Sequence, residues 1–468
     1  MNIINQMYGN IIKKCIENSF KREIKLGAID NYLEFINYLD GFLLEIVKRS
    51  IIDSFESIDF QFKNSTRRKV LYYTKGLYPR TIMTLFGEIT FYREYYVPKG
   101  SNSEGFYYVD ELFNLPKRDY YDPMIKALII EKSSQFSYDQ SGEIVGDMIG
   151  EKFKSLVESS YAKISRQTVY NVIKRADMDY VIDDVKANVD TIYIQFDEKY
   201  VYTQGTNKVK KEIKAAVIYT GIKKEYNNRN KLVNRHIITS LGYSTEIKHK
   251  CLDYIFKTYD TNKIKTVMIS GDGAQWIRKS TSDFYFHDEI TVHFVLDRFH
   301  MNQAVNHITT NEDIKYYLRN YIQNGNRNFF KELCDILITE NPLRSEVIES
   351  NKNYIMNNWN PIQRQKLDLF LGCSMEGHIS HVLAAQFSSR PKAHSFHMLE
   401  KRLVIRELYV NKIDSKKIYL DNHVSPTPDS SINDWNNNYP KTVFDIIGHK
   451  VTERYKTFRN IINTTLLS

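Results

Sequence analysis

The stretch 269–277 reads ISGDGAQWI and follows the apolar run KTVM at 265–268. A strand is expected to stop here and a helix to begin, with Asp272 set between two glycines. Asp-Gly is a strong turn signal, because glycine accepts positive φ and aspartate hydrogen-bonds its own backbone. A plain tight turn therefore accounts for the pair by itself. Position adds a second reading: in open sheets with parallel strands, ligands collect just beyond the carboxyl ends of the strands, where a strand-to-helix aspartate projects. The second reading requires other carboxylates at the same place.

Upstream, DTIYIQFDEKYVYT (190–203), KKEIKAAVIYTGI (210–222) and LVNRHIITSLGYS (232–244) read as three extended segments joined by polar loops, a meander. An amphipathic helix (TEIKHKCLDYIFKTYD, 245–260) precedes the strand that ends at Asp272. A helix opening AQWIRK and a further strand, ITVHFVLD, lead to Asp297. Three strands, helix, strand, helix, strand is the element order of a ribonuclease-H-like core. In that architecture the first and fourth strands are neighbours, so Asp197 and Asp272 converge. The third acid is expected from a helix after the fifth strand. About seventy mostly helical, charged and amide-rich residues (301–372) intervene before GCSMEGHISHVLAAQFSSRP (372–391), where Glu376 opens a helical stretch.

The expected fold class is α+β multidomain, with a ribonuclease-H-like core (186–300 and 373–400) interrupted by a helical insertion (301–372). Residues 1–62 carry apolar positions at helical spacing and read as a pair of amphipathic helices. Residues 63–118 turn to a period of two, rich in Thr, Tyr, Phe and Ile, as in a small antiparallel sheet. Arg67, Arg68, Lys69, Arg80 and Arg93 alternate there with aromatics, either as a phosphate-contacting face or as the solvated side of the strands. Residues 119–182 return to helical periodicity. Within them SYDQSGEIVGDMIG and KISRQTVYNVIKRA give a helix, a connection and a helix capped by Ser165, compatible with a helix-turn-helix. Arg166, Gln167, Thr168 and Asn171 would then reach base edges, Lys174 and Arg175 phosphates, and Val169, Val172 and Ile173 the core. An ordinary capped surface helix is the competing reading. Residues 401–468 form a basic, partly helical tail without assignable chemistry.

Composition narrows the class. A chain of 468 residues exceeds one ordinary core. Lys plus Arg exceed Asp plus Glu by nine, a modest surplus that favours polyanionic partners. The four cysteines (Cys15, Cys251, Cys334, Cys373) form no C-x-x-C pair, which fits a reducing cytoplasm and no disulfide framework. No apolar run approaches the roughly 18 residues of a membrane span, so neither export nor membrane insertion is expected.

Three carboxylates from separate elements suit Mg²⁺, a hard cation that prefers oxygen ligands, with Mn²⁺ as a possible substitute. Two such ions about 4 Å apart can activate water or a 3′-hydroxyl and stabilise the leaving oxygen of a phosphodiester, so no protein nucleophile is needed. None of the 34 tyrosines stands in a distinctive nucleophile motif. Bland readings exist for each acid: Glu376 as a favourable acid at a helix start, and His378 and His381 as surface groups. With His300 these histidines could form a zinc site, but an H-E-x-x-H or cysteine pairing is lacking.

The motifs GDGAQWI, LDRFH, CSMEGHISH and SSRP, in that order over most of the chain, resemble those of the ISLre-type family of bacterial insertion-sequence transposases, also catalogued as uncharacterised proteins. That family is similar to the wider Mutator-like group, whose ribonuclease-H-like DDE core carries a helical insertion before its glutamate and a D-x-x-H motif after the fifth strand. The resemblance implies Asp197, Asp272 and Glu376 as catalytic metal ligands, with Asp297 and His300 orienting DNA or the site. It also implies double-stranded DNA as partner, both element ends and target, bound by a homo-oligomer. Arg390 of SSRP would contact a phosphate or pair with a carboxylate. Members often read like ADEDHV at the first acid, whereas this chain has FDEKYV, so Asp197 and Glu198 compete for that role. Strand alternation sends them to opposite faces, and Asp197 is the choice. A non-catalytic DNA-binding protein derived from a transposase is the alternative function.

Overall fold

The computed structural model describes residues 21, 32–100, 104–149, 163–204, 210–225, 230–388 and 394–424, without the side chains of Leu33, Asn37, Glu376, His378, Ile379, Ser380 and Val424. The chain mixes helices with several sheets and divides into two compact units.

The first unit takes the described parts of 1–132, 137–172 and 416–468. Its long helix α1 (Tyr32–Asn64) is continuous; residues 1–20 and 22–31, on which the rest of the expected helix pair falls, lie outside the described ones. A hairpin follows, β1 (Tyr72–Thr84) against β2 (Gly87–Pro98), turning through Leu85 and Phe86, with the short β3 (Phe106–Tyr107) at its edge. Gly87, at φ +102, closes the turn in a conformation that disfavours a side chain. Ile82, Ile89 and Phe91 pack with Val109 and Leu115 on Ile51, Ile52 and Phe55 of α1.

The basic residues of this region divide differently from either sequence reading. Arg67, Arg68 and Lys69 lie in a helical turn (Thr66–Leu71), not in a strand. Arg80 and Arg93 are buried and share the carboxylate of buried Asp110, Arg93 by direct contact and Arg80 at 3.6 Å. Arg80 also donates to the carbonyls of Pro116 and Asp119, at 2.8 and 2.9 Å. A guanidinium keeps its charge on burial, so it is tolerated inside only when so partnered. These two arginines face neither phosphate nor water.

Helices α2 (Pro123–Ser133), α3 (Tyr138–Met148) and α4 (Arg166–Arg175) complete this part of the chain. Ser137 and Gln140 form a reciprocal capping box at the start of α3.

The second unit, 133–136 with 173–415, is built on a five-stranded sheet. Its strands are β4 (Thr191–Tyr202), β5 (Lys210–Tyr219), β8 (His236–Ser240), β9 (Thr266–Gly271) and β10 (Thr291–Leu296), in the order β10-β9-β4-β5-β8. Strands β4, β5 and β8 are antiparallel; β9 and β10 run parallel to β4. The expected meander carries an addition: β6 (Gly221–Lys224) and β7 (Asn230–Val233) form a separate hairpin, broken from β8 at Asn234, whose φ is +51.

One face of the sheet packs on α5 (Ser244–Thr258) and on α7 (Arg298–Ile308), α8 (Glu312–Asn324), α9 (Arg327–Glu340), α10 (Ser345–Asn357) and α11 (Trp359–Gln363). The short helix α6 (Gln275–Lys279) lies between β9 and β10 in sequence. The insertion is helical, as expected, yet Leu318, Phe330, Ile355 and Trp359 belong to the same apolar core as Ile192, Ile194 and Phe196 of β4. The other face, carrying Tyr193, Val217 and Val295, is covered by Met375, Leu383 and Phe387 and by α13 (Phe396–Val410), with Leu399 and Leu403. Met375 belongs to α12 (Met375–His378), which continues through a π-helical turn, Ile379–Ala384. Among the described residues no helix is long and apolar enough to cross a membrane. Of the C-terminal tail, residues 425–468 lie outside the described ones.

Candidate active site

The site follows from strand register. The last pairs are Gln195 with Ser270 between β4 and β9, and Gly271 with Leu296 between β9 and β10. Each register continued past its last pair brings Asp197, in the middle of β4, into one row with Asp272 and Asp297, the residues just past the carboxyl ends of β9 and β10. Side chains alternate along a strand, so these residues share the face of Gln195, Ser270 and Val295. Gly271 makes the close approach possible, since a Cβ there would lie 2.9 Å from the carbonyl oxygen of Phe196.

The segment entering α12 docks on the same face. Gln195, 1% exposed, accepts from the amide of Ser374 at 3.1 Å and donates to the carbonyl of Gly372 at 3.4 Å. Ser270 Oγ lies 3.8 Å from Cys373 Sγ. Burial pushes the Cys373 thiol up to about 12, and the charges of Asp297 and Asp197 add to that rise. The helix bearing Glu376 packs against β4. A cleft of about 780 Å³ opens beside this segment, with Gln195, Ser374, His381, Lys231, Arg235 and Lys412 in its lining.

Asp272 is also a turn residue. Its Oδ1 accepts from the Ala274 amide at 2.9 Å, and Gly273 follows at φ +88. Asp297, 4% exposed, caps α7 by accepting from Phe299 N at 3.1 Å, while Oδ2 lies 3.2 Å from His300 Nδ1. The hydrogen bond to Asp297 raises the His300 pKa above its ordinary value, against burial, and the charges of Asp197 and Asp272 raise it further. One imidazole thus senses all three carboxylates. Glu198 points the other way: its Oε2 is 3.5 Å from Lys214 Nζ and accepts from Trp276 Nε1 at 3.3 Å.

Among the described residues no group of three or more His, Cys, Asp or Glu stands arranged to hold a metal ion. The side chains of Glu376 and His378 are outside that search, and Arg390 lies outside the described residues altogether. The row itself offers oxygen donors only.

In α4, Ser165 Oγ accepts from Thr168 N at 3.1 Å, as a capping serine should. Val169 and Ile173 are buried and Val172 half-buried. Arg166, Gln167, Asn171, Lys174 and Arg175 are exposed, Thr168 partly so. Gly142 of α3 passes so close to the residue before the cap that a Cβ would lie 2.1 Å from Ile164 O. Residues 150–162, between α3 and α4, lie outside the described residues, and with them the connection of the expected helix-turn-helix.

Sequence reasoning missed Gln195 and two residues of the insertion. A glutamine inside the apolar run TIYIQF is a detectable signal, since a buried amide needs partners. No local pattern marks Tyr354 or Asn358, which reach the Asp272 turn only through the fold. Tyr354 Oη donates to the Asp272 carbonyl at 2.5 Å.

Known proteins give the chain a family. It is 29% identical over 410 residues to a UPF0236 protein of Caldanaerobacter subterraneus subsp. tengcongensis whose name joins eleven designations; the match covers 86% of this chain and 82% of that one. UPF0236 protein TTE2489 of the same strain is 28% identical over 397 residues, 83% of this chain and 80% of its own. A third UPF0236 protein there, its name joining four designations, is 30% identical over 372 residues, 78% and 74% of the two chains. A family model matches residues 31–423, so this chain belongs to the uncharacterised protein family UPF0236.

Proposed function

We propose that the chain is a DDE-type DNA transposase with a ribonuclease-H-like core, which cuts the ends of its element and joins them to target DNA. The observation that carries this reading is the row formed by Asp197 within β4 and by Asp272 and Asp297 just past β9 and β10, with His300 Nδ1 3.2 Å from Asp297 Oδ2. The strand order, with β4 between β5 and β9, supports it, because the first and fourth strands of the expected core must be neighbours. Names that join eleven and four designations from one strain are what dispersed copies of a sequence would give, and they support it too.

Asp197, Asp272 and Glu376 would hold Mg²⁺, or Mn²⁺ in its place, as hard cations take oxygen donors. When bound, the ions would supply an activated water or 3′-hydroxyl and stabilise the leaving oxygen. The chain's own part is orientation. Asp297 fixes the start of α7 and holds His300 toward its protonated form, which sets a positive charge where a DNA phosphate must approach three carboxylates. Arg235 and Lys412 in the neighbouring cleft favour the same polyanion, while Lys231 there is paired with Glu225. Exposed Arg166, Gln167 and Asn171 would read element ends, and the protein would act as a homo-oligomer on DNA in the cytoplasm.

A non-catalytic DNA-binding protein derived from such an enzyme is the second reading. Mg²⁺-dependent nicking of a labelled end fragment, measured with gel-shift affinity, separates the two. Asp272→Asn and Glu376→Gln should each lower nicking by about a hundredfold or more while binding survives. Undiminished nicking by either variant removes that residue from catalysis, and a folded wild type that binds ends without nicking them favours the binder.

A further inference from the structure

The helical insertion grips the ends of both strands that lead to Asp272 and Asp297. Tyr354, at the C-terminal part of α10, donates its hydroxyl to the Asp272 carbonyl at 2.5 Å. Asn358, 1% exposed, donates to the Tyr354 carbonyl at 2.8 Å and accepts from Arg278 Nη2 at 2.7 Å. Arg278 in turn donates through Nε to the carbonyl of Gly273 at 3.1 Å. A Cβ on Gly273 would lie 3.0 Å from Asn358 Oδ1, so this side chain rests on the turn itself. Seven residues on, Gln365 donates to the carbonyl of Leu296 at 2.8 Å, and Arg364 to that of Phe294 at 3.0 Å. Residues 354–365 therefore hold β9 and β10 at the points where their aspartates begin.

The bond from Tyr354 has a specific consequence. Its acceptor belongs to the peptide plane between Asp272 and Gly273, and glycine tolerates either sign of φ, so this plane is free to flip unless something holds it. A flip would break the Asx bond from Ala274 N to Asp272 Oδ1, the bond that fixes this carboxylate. We propose that Tyr354 and Asn358 are positioning residues, which lock the Asp272 turn and make the insertion a brace for the carboxylate row. The brace stands on these bonds alone; its bearing on metal rests on the transposase reading.

Hydrogen exchange on the full chain tests the brace without activity. Tyr354→Phe removes one oxygen and should speed exchange at residues 272–275, Ala274 above all, by about three- to tenfold, the effect of one lost hydrogen bond. Exchange in β9 at 267–270 should stay as in wild type. Lys352→Ala, on the same helix but paired with Asp335, should leave the turn unchanged. In the nicking assay Tyr354→Phe should raise the Mn²⁺ concentration for half-maximal rate by a similar factor, with most of the rate recovered at saturation. Unchanged exchange at 272–275 overturns the brace, as does loss of protection throughout β9, which marks general loosening. An unchanged Mn²⁺ midpoint in a chain that nicks and whose turn exchanges faster keeps the brace and overturns its bearing on metal. Faster exchange at the turn in a chain whose wild type never nicks keeps the brace and sinks the catalytic reading.

Discussion

Asp272 serves two purposes that a substitution can separate. As a turn residue it accepts the Ala274 amide through Oδ1, a bond that asparagine reproduces, so Asp272→Asn isolates the charge. Gly273 beside it has a purely conformational role. At φ +88 a side chain is strained by about 1–2 kcal/mol, and a new Cβ would also press on Asn358 Oδ1 and Leu296 Cδ1, both at 3.0 Å. Gly273→Ala should therefore lower unfolding free energy by about 1–3 kcal/mol in urea titrations. A loss below about 0.5 kcal/mol would mean that the turn relaxes freely, and that its geometry is not held from outside. The same scale explains the misreading of Arg80 and Arg93. Their sequence neighbours alternate as on a solvated strand, but Asp110, the acid that buries them, comes from another element.

Elements were more legible than their partners. The order of β4, β5, β8, α5, β9 and β10 follows from periodicity and turn residues, because alternation and helical spacing are local properties. The β6–β7 hairpin was not read, since a short polar strand differs little from a loop. The insertion was readable as helical. Its packing into the sheet's own core was not, because an apolar stripe declares a buried face without naming what buries it. For α4 the sequence gives both cap and faces: Ser165 caps, Val169 and Ile173 are buried, and the polar residues face outward. That exposure makes the DNA prediction specific. If α4 reads element ends, Arg166→Ala should cost about 1–3 kcal/mol of binding and relax base preference, whereas Lys174→Ala should weaken all sequences alike and lower the salt slope by about one. Equal affinity and base preference for wild type and Arg166→Ala would make α4 an ordinary surface helix.

Across the whole molecule, each unit has its own core, and a buried group in each, Asp59 in the first and His236 in the second, responds oppositely to acid. In the first unit Asp59 of α1 accepts from Glu94 N at 2.9 Å and Tyr96 Oη at 3.3 Å, yet burial pushes its pKa up to about 6. Between its unfolded value of 3.8 and about 6 the folded chain holds the proton more tightly than the unfolded one. This unit therefore loses stability as pH rises through that window, by up to about 3 kcal/mol. In the second unit His236, stacked on Tyr254 at 3.9 Å, is lowered by burial from 6.5 to about 4. There the unfolded chain binds the extra proton, so stability is lost as pH falls from 6.5 toward 4, again by up to about 3 kcal/mol. Glu407, raised by burial despite its bonds from Thr239, works against His236 in the same unit, so variants rather than the wild-type slope carry the test. Calorimetric melts from pH 4 to 7 should find Asp59→Asn gaining on wild type as pH rises, and His236→Phe, which keeps the ring stack, gaining as pH falls. A constant difference from wild type across that range, in either variant, would remove that residue as the source of its unit's acid response.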